Sequence, residues 1–282
     1  MDIIMFIKMN AYKKGLLFLY KSVNKKLHVL PKTIDKTLVI GDIKLCVNLL
    51  DDGSLPYLKS LEPANRLYEL IQKDLKPGII LDIGANYGFI SLVAHKYMPQ
   101  ARVIAVEPDP LLLSYLWKNL EGINSMVFSA LCGEKEQEAF FSVNPTSSQD
   151  NRVYHEGWQQ KKTHMVTIDS LVGDSPVFIK TDTQGYEKQV LDGGANRLKA
   201  KNWIIKMEYA PYLLREHCNP ITFLRELVSQ YDVVDLSLVP FKAESLNSLF
   251  KNRLKPYDVT DFVDYIESLP VGWLDILIRP RG

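Results

Sequence analysis

The 282-residue chain has only three cysteines, Cys46, Cys132 and Cys218, far apart and without CxxC spacing. Such a scattered, odd set implies neither a disulfide framework nor a cysteine zinc cluster, and it fits a reducing cytoplasm. Net charge is nearly absent at +1. Nothing global therefore points to nucleic acid, whose binders are normally strongly basic or carry a basic stripe. There is no low-complexity tract and no internal repeat, which excludes fibres and solenoids. The opening MDIIMFIKMNAYKKGLLFLYKSVNKK has no small-residue cleavage site, and its longest charge-free apolar run is Gly15 to Tyr20. That is far short of the ~20 residues a bilayer span requires. Neither a signal peptide nor a transmembrane helix is expected there, and the expected location is cytoplasmic.

What is present is a globular composition, 46% hydrophobic and 24% charged, long enough for one large α/β domain with a smaller attachment. The small net charge hides an asymmetry. Residues 1–36 hold eight lysines against Asp2 and Asp35, a balance of +6 that leaves −5 for the rest. Leu16, Leu17 and Tyr20 can share a helix face ringed by Lys13, Lys14 and Lys21. That pattern suits packing on the protein or, as an alternative, peripheral contact with an anionic membrane.

From Ile79 onward, apolar runs of strand length alternate with helix-like stretches, the signature of a parallel sheet covered by helices. Strands are expected at Ile79–Ile83, Val103–Val106, Met126–Ala130, Val177–Thr181, Trp203–Glu208 and Val233–Leu236. Two shorter ones, Ala139–Val143 and Met165–Ile168, flank the polar stretch NPTSSQDNRVYHEGWQQKKT, read as a long exposed loop. A strand pair and a helix near Ala64–Asp74 precede the turn at Lys76-Pro77-Gly78, and the tail predicts a helix near Asp261–Leu269 before the strand WLDILI. The organisation expected is a basic helical and β extension over 1–75, and a main domain over 76–282 with a loop insertion near 144–164.

The chemistry concentrates at strand ends. ILDIGANYGFISL carries Asp82, Gly84, Ala85, Asn86 and Gly88 between a buried strand and an apolar helix. Small residues allow a sharp turn and close approach to a ligand, and the helix start offers free N–H groups. The pattern is D-x-G-x-x-x-G, without the third glycine of a dinucleotide fingerprint. A strand-end carboxylate suits a cationic amino-acid moiety, such as the methionine end of S-adenosylmethionine, better than a pyrophosphate.

Glu107, in VIAVEPDP, closes the next strand 23 residues after Gly84, the position from which an acid takes ribose hydroxyls. Ser129, Ala130 and Leu131 would border an adenine if the third strand ends beside it. Two further strands end in acids, Asp182 in VFIKTDTQGYEKQVL and Glu208 in WIIKMEYAPY. Lys180 shares a strand face with Asp182. One such acid is as easily a helix cap or an ion-pair partner, but three at successive strand mouths are less easily explained that way.

These segments together resemble the FkbM family of methyltransferases, in DIGANYGFISL, VEPDP, IKTDTQGYEKQVL and MEYAPYLLREHCNPITFLREL. The similarity runs from about Leu45 to Leu236, with Thr181 and Thr183 standing where the family more often has apolar residues. The resemblance implies an α/β fold with a Rossmann-like class I methyltransferase sheet and helices on both faces. It also implies S-adenosyl-L-methionine as donor and O-methylation of a hydroxyl on a sugar, glycan, glycolipid or secondary metabolite. By residue-level match it assigns Asp82, Gly84, Ala85, Asn86, Gly88 and Glu107 to the cofactor, with Asp109 and Ala130 beside them. It places Asp182 in a D-x-x-G-x-E stretch completed by Gly185 and Glu187.

A hydroxyl acceptor must lose a proton, so a carboxylate within reach would act as general base. Asp182 is the first candidate, and Glu208 would orient the acceptor or share that role. Arg152, His155 and Trp158, in the polar loop, are candidate acceptor contacts. No ligand cluster sufficient for a metal is present in the sequence. The competing classes are a nucleotide-dependent oxidoreductase on a related sheet and a non-catalytic binding subunit that has kept the fold. The missing glycine and the strand-end Asp82 weigh against the first, and the intact acid and glycine set against the second.

Overall fold

The computed structural model describes residues 33–59, 65–238 and 243–281. The amphipathic pattern around Leu16, Leu17 and Tyr20 lies outside them. Among the described residues, no helix is long and apolar enough to cross a membrane.

Five strands form the parallel body of a seven-stranded sheet: β3 (Ile79–Ile83), β4 (Arg102–Val106), β5 (Ser125–Phe128), β9 (Val177–Thr181) and β10 (Trp203–Tyr209). Two more close one side, β11 (Tyr231–Asp235) and β12 (Leu274–Pro280), with β12 antiparallel to both of its neighbours. The order across the sheet is β11-β12-β10-β9-β3-β4-β5. The central strands are mainly apolar because both faces are covered, with Asp82 and Lys180 as the buried charged exceptions.

Alternate residues feed two separate cores. Ile80, Val103, Phe178 and Ile204 point into one core, and Leu81, Ile104, Ile179 and Ile205 into the other. The first core is completed by the helices Asn65–Asp74, Phe89–Tyr97 and Pro110–Asn119. The second is completed by Pro220–Gln230 and Val259–Ser268. Helices thus cover both faces of an α/β sheet, as the alternation of apolar runs requires.

Before the sheet stands an antiparallel hairpin of β1 (Asp35–Ile40) and β2 (Ile43–Asn48). Leu45, Cys46 and Val47 from β2 lie in the same core as Ile80 and Val103, so packing is continuous across the turn at Lys76-Pro77-Gly78. A second small sheet joins β6 (Ala130–Cys132), β8 (Gln159–Val166) and β7 (Gln137–Val143).

Here the structure departs from three sequence expectations, the first being that the strand expected over Met165–Ile168 ends at Val166 and Ile168 opens a short helix capped by Thr167. The run expected as one strand over Met126–Ala130 is broken after Phe128, and Ala130–Cys132 joins the small sheet through β8. The polar stretch expected as an exposed loop is half-buried from Ser147 to Val153, and it becomes strand at Gln159. Asn144 folds its first half by accepting the N–H groups of Thr146 and Ser147, an Asx turn.

The order of connection reverses between β3 and β9. From β3 the chain proceeds to β4 and β5 on one side, and later to β9 and β10 on the other. Open α/β sheets bind ligands outside the carboxyl ends of the strands at such a switch point.

Candidate active site

A cavity of about 330 Å³ occupies that position. Its wall contains Ile83 and Gly84 at the end of β3, Val106 and Glu107 at the end of β4, Lys180 and Asp182 at the end of β9, and Glu208 of β10. The ends of β4, β9 and β10 supply the charged groups Glu107, Lys180, Asp182 and Glu208 to one space, and the end of β3 supplies the glycine turn.

The glycine turn is built for close approach. Gly84 has φ +71, and a Cβ on it would stand 2.0 Å from the carbonyl oxygen of Asp182. Only glycine allows the β3 and β9 exits to run so near each other. Gly88 has φ +82 and faces the other way; its Cβ would meet Leu116 at 2.6 Å. Gly88 therefore serves helix packing and does not reach the cavity wall. Asn86, between them, also adopts a left-handed conformation, φ 52.

Glu107 is buried at the cavity wall. One carboxylate oxygen accepts the N–H of Asn86 and the other that of Asp109, each at 2.9 Å. Burial raises its pKa to about 7 against the lowering effect of those two N–H groups, while the charge of Asp109 adds to the rise and Lys180 opposes it.

Three of the residues expected at the cofactor stand behind this wall. Asp82 is fully buried; it accepts from Ser91 Oγ at 2.6 Å and lies 3.4 Å from Lys180 Nζ. Parallel register sets Asp82 directly beside Lys180 across β3 and β9. Asp109 is the N-cap of the helix Pro110–Asn119, accepting from Leu111 N, and it also pairs with Lys161 at 3.0 Å and accepts from Asn151 Nδ2. Gly88 completes the set. Gly84, Ala85, Asn86, Glu107 and Ala130 do line the cavity.

On the opposite wall, Asp182 and Glu208 are brought together by a residue that sequence reasoning did not single out. Gln184 Nε2 donates to Asp182 Oδ1 at 3.0 Å and to Glu208 Oε2 at 3.1 Å. Its backbone is left-handed, φ 56, and the turn is held by Glu187, which accepts from Thr183 N at 2.7 Å and Gly185 N at 3.1 Å. Burial, then the nearby charges of Asp182, Glu187 and Asp275, push the Glu208 carboxyl well above the ordinary range; Lys180 opposes them.

The polar stretch and the N-terminal segment form the remaining wall, through Pro56, Tyr57, Ser148, Gln149, Asn151 and Arg152. Asp51 ties them together: it accepts Ser148 N at 2.8 Å, Ser148 Oγ at 2.5 Å and Tyr87 Oη at 2.7 Å. Of the expected acceptor contacts, Arg152 lines the cavity. His155 and Trp158 stack on each other with ring centroids 3.9 Å apart, and the Arg152 guanidinium lies 5.3 Å from the Trp158 ring. Those two rings are not part of the cavity wall. Among the described residues, no group of three or more His, Cys, Asp or Glu side chains is placed to hold a metal ion.

The model of the methyltransferase FkbM domain matches residues 82–232, just over half of the chain. The protein belongs to the FkbM methyltransferase domain family. The matched span runs from the glycine turn through Glu107, Asp182 and Glu208 to β11. Among curated proteins, the hexuronic acid methyltransferase AglP of Haloferax volcanii is 27% identical over 143 residues, 48% of this chain and 58% of that relative. The chain thus spans less than two thirds of that relative's length. A solved FkbM methyltransferase from Methylobacillus flagellatus aligns over 79% of this chain and 49% of its own, with 16% identity and a TM-score of 0.45. The M. jannaschii protein TYW2, solved with AdoMet, aligns over 89% of this chain and 87% of its own, with 12% identity and a TM-score of 0.44.

Proposed function

We propose that the protein is an S-adenosylmethionine-dependent O-methyltransferase acting on a hydroxyl of a sugar, glycan, glycolipid or secondary metabolite. The observation that carries this reading is the pairing of two walls across one cavity: Glu107 with the glycine turn on one side, and Asp182, Gln184 and Glu208 on the other. AglP, named for a hexuronic acid substrate, supports a sugar-derived acceptor.

The donor set fits S-adenosylmethionine. Glu107 spends one interaction per oxygen on backbone N–H groups and has lone pairs left for ribose hydroxyls. Ile83, Val106, Ala130 and Leu131 supply an apolar wall for the adenine, and the Gly84–Asn86 turn gives close backbone approach. When bound, the cofactor supplies an electrophilic methyl group whose bond to sulfur breaks as the bond to the acceptor oxygen forms.

The protein's share of the work is position and proton transfer. Asp182 takes the acceptor proton, and Gln184 holds Asp182 and Glu208 on one hydroxyl-binding edge. Glu208, raised well above the ordinary carboxyl range, is suited to hold a proton and orient the acceptor. Lys180 is not the base: burial works to lower its pKa, but Asp182 and Asp82 outweigh that effect and keep the ammonium above its usual range.

Transfer of label from S-adenosyl-[methyl-³H]methionine to sugar and polyketide-type acceptors by the purified chain tests the proposal. Labelled product that disappears in Asp182→Asn is the expected result. Absence of transfer to every hydroxyl acceptor would overturn it.

A further inference from the structure

Two large aromatic side chains stay in solvent beside the proton-accepting wall. Trp273 forms part of the cavity wall and is 38% exposed; Tyr212 is 50% exposed. Their nearness follows from register. Tyr209 pairs with Leu274 in the antiparallel β10 and β12 ladder, so the segment leaving β10 and the segment entering β12 lie side by side at the same end of the sheet. Gly272, φ +69, rests against the Tyr212 ring, where an added Cβ would stand 3.3 Å from Cδ1. Tyr212 is thus backed by main chain and held in place. Its phenol is pushed up by burial and then by the Glu208 carboxylate, while Arg152 opposes the rise; both of those neighbours are wall residues.

A fold gains by burying aromatic rings of this size, so two of them half-exposed beside the cavity leave apolar area for a ligand to cover. The adjoining edge offers hydrogen-bond acceptors, the oxygens of Asp182 and Glu208. A matching ligand has one apolar face and an edge of hydroxyl donors, which describes a pyranose ring. It should carry no negative charge at that edge. The Asp182 carboxylate faces it beside Glu208, Lys180 is already engaged by Asp82, Asp182 and the Gly84 carbonyl, and Arg152 is paired with Glu216 at 3.4 Å, so among the described wall residues no free cation is left for a charged ring.

Resting on the methyltransferase reading, we propose that Trp273 and Tyr212 form the platform on which an uncharged sugar ring of the acceptor lies, its hydroxyls directed to Asp182 and Glu208. The relative named for a hexuronic acid would then differ from this chain in the charge of the ring it takes.

The test uses the full chain, labelled S-adenosylmethionine, and the methyl glucosides, galactosides and mannosides beside their matching uronides. At least one neutral glycoside should be methylated, with kcat/KM about tenfold or more above its uronide. Trp273→Ala and Tyr212→Ala should each raise the acceptor KM about tenfold, with S-adenosylhomocysteine affinity within about twofold of the parent and Trp273→Phe retaining most activity. Unchanged acceptor KM in both alanine variants, a preference for the uronide, or no transfer to any neutral glycoside would overturn the platform. Failure of the unmodified chain to bind S-adenosylhomocysteine would strike the methyltransferase reading itself, which keeps the two failures apart.

Discussion

The Lys180 ammonium donates to the carbonyl oxygen of Gly84 at 2.7 Å, tying the end of β9 to the glycine turn after β3. The same nitrogen lies 3.4 Å from Asp82 beneath the turn and 3.6 Å from Asp182 in the cavity. One buried cation therefore sets the spacing between the wall that would hold the cofactor and the wall that would take the acceptor's proton. Methyl transfer depends on an in-line arrangement held within fractions of an ångström, so under the proposed function this linkage should govern rate as well as stability.

Lys180→Met leaves Asp82 buried without its counter-charge. Removing one partner of a buried pair costs about 3–5 kcal/mol, so the midpoint of urea unfolding should fall sharply. Asp82→Asn combined with Lys180→Met should recover about half of that loss, because the stranded charge is gone. A single variant as stable as the parent would show that the pair is not coupled.

Gln184 is predicted to control the pH profile. In Gln184→Ala both carboxylates lose a shared N–H donor, which disfavours their charged forms. The acidic limb of the kcat profile should therefore move to higher pH. Gln184→Glu sets a third carboxyl between them and should lower kcat by about 100-fold, with S-adenosylhomocysteine affinity nearly unchanged. An unmoved limb in the alanine variant would assign Gln184 a purely structural place.

Glu107 carries a second pH dependence. Its carboxyl titrates at about 7 in the folded chain, raised by burial above the ordinary value of 4.5. The folded state thus binds the proton more tightly than the unfolded state. Its contribution favours folding below about 4.5 and is lost as pH rises through about 7. The unliganded parent should lose stability between pH 5 and 8 relative to Glu107→Gln. Over the same range S-adenosylhomocysteine should bind more tightly, because the ionised carboxylate is the better acceptor for ribose hydroxyls. Parallel thermal melts of the two proteins, with and without ligand, check both signs.

Asp51 accepts four donors, from Gly53, Tyr87 and twice from Ser148. Asp51→Ala removes the latch between the N-terminal segment and the stretch that carries Gln149, Asn151 and Arg152 into the cavity wall. Limited proteolysis should then cut within residues 144–158 at least several-fold faster than in the parent. Equal cleavage rates would place the latch elsewhere.

Much of the sheet was legible because parallel strands buried on both faces leave no other reading. IILDI and VFIKT are mainly apolar strands that carry Asp82 and Lys180 near their carboxyl ends, and their observed limits match expectation. β8 was not legible over Gln159–Thr163, since QQKKT has no apolar alternation and sits on a small sheet largely facing water.

The motif D-x-G-x-x-x-G located the turn but not the division of labour inside it. Which of its residues face a ligand depends on Lys180 and Leu116, far away in sequence. Tyr57, Gln149 and Trp273 reach the cavity from three distant segments and carried no local signal. Gln184 did carry one, as the polar residue just before Gly185 at a strand mouth, although its bridging role needed Glu208 in view.

The most direct measurement is calorimetric titration of the purified chain with S-adenosylmethionine and S-adenosylhomocysteine, with NAD as control ligand, beside Glu107→Ala. Loss of two charge-assisted hydrogen bonds predicts an affinity roughly 100-fold weaker in the variant. Micromolar binding of both sulfur ligands by the parent, weakened to that degree in Glu107→Ala, with no heat from NAD, is the result expected. Binding of NAD without either sulfur ligand, or S-adenosylhomocysteine binding indifferent to Glu107, would contradict the account.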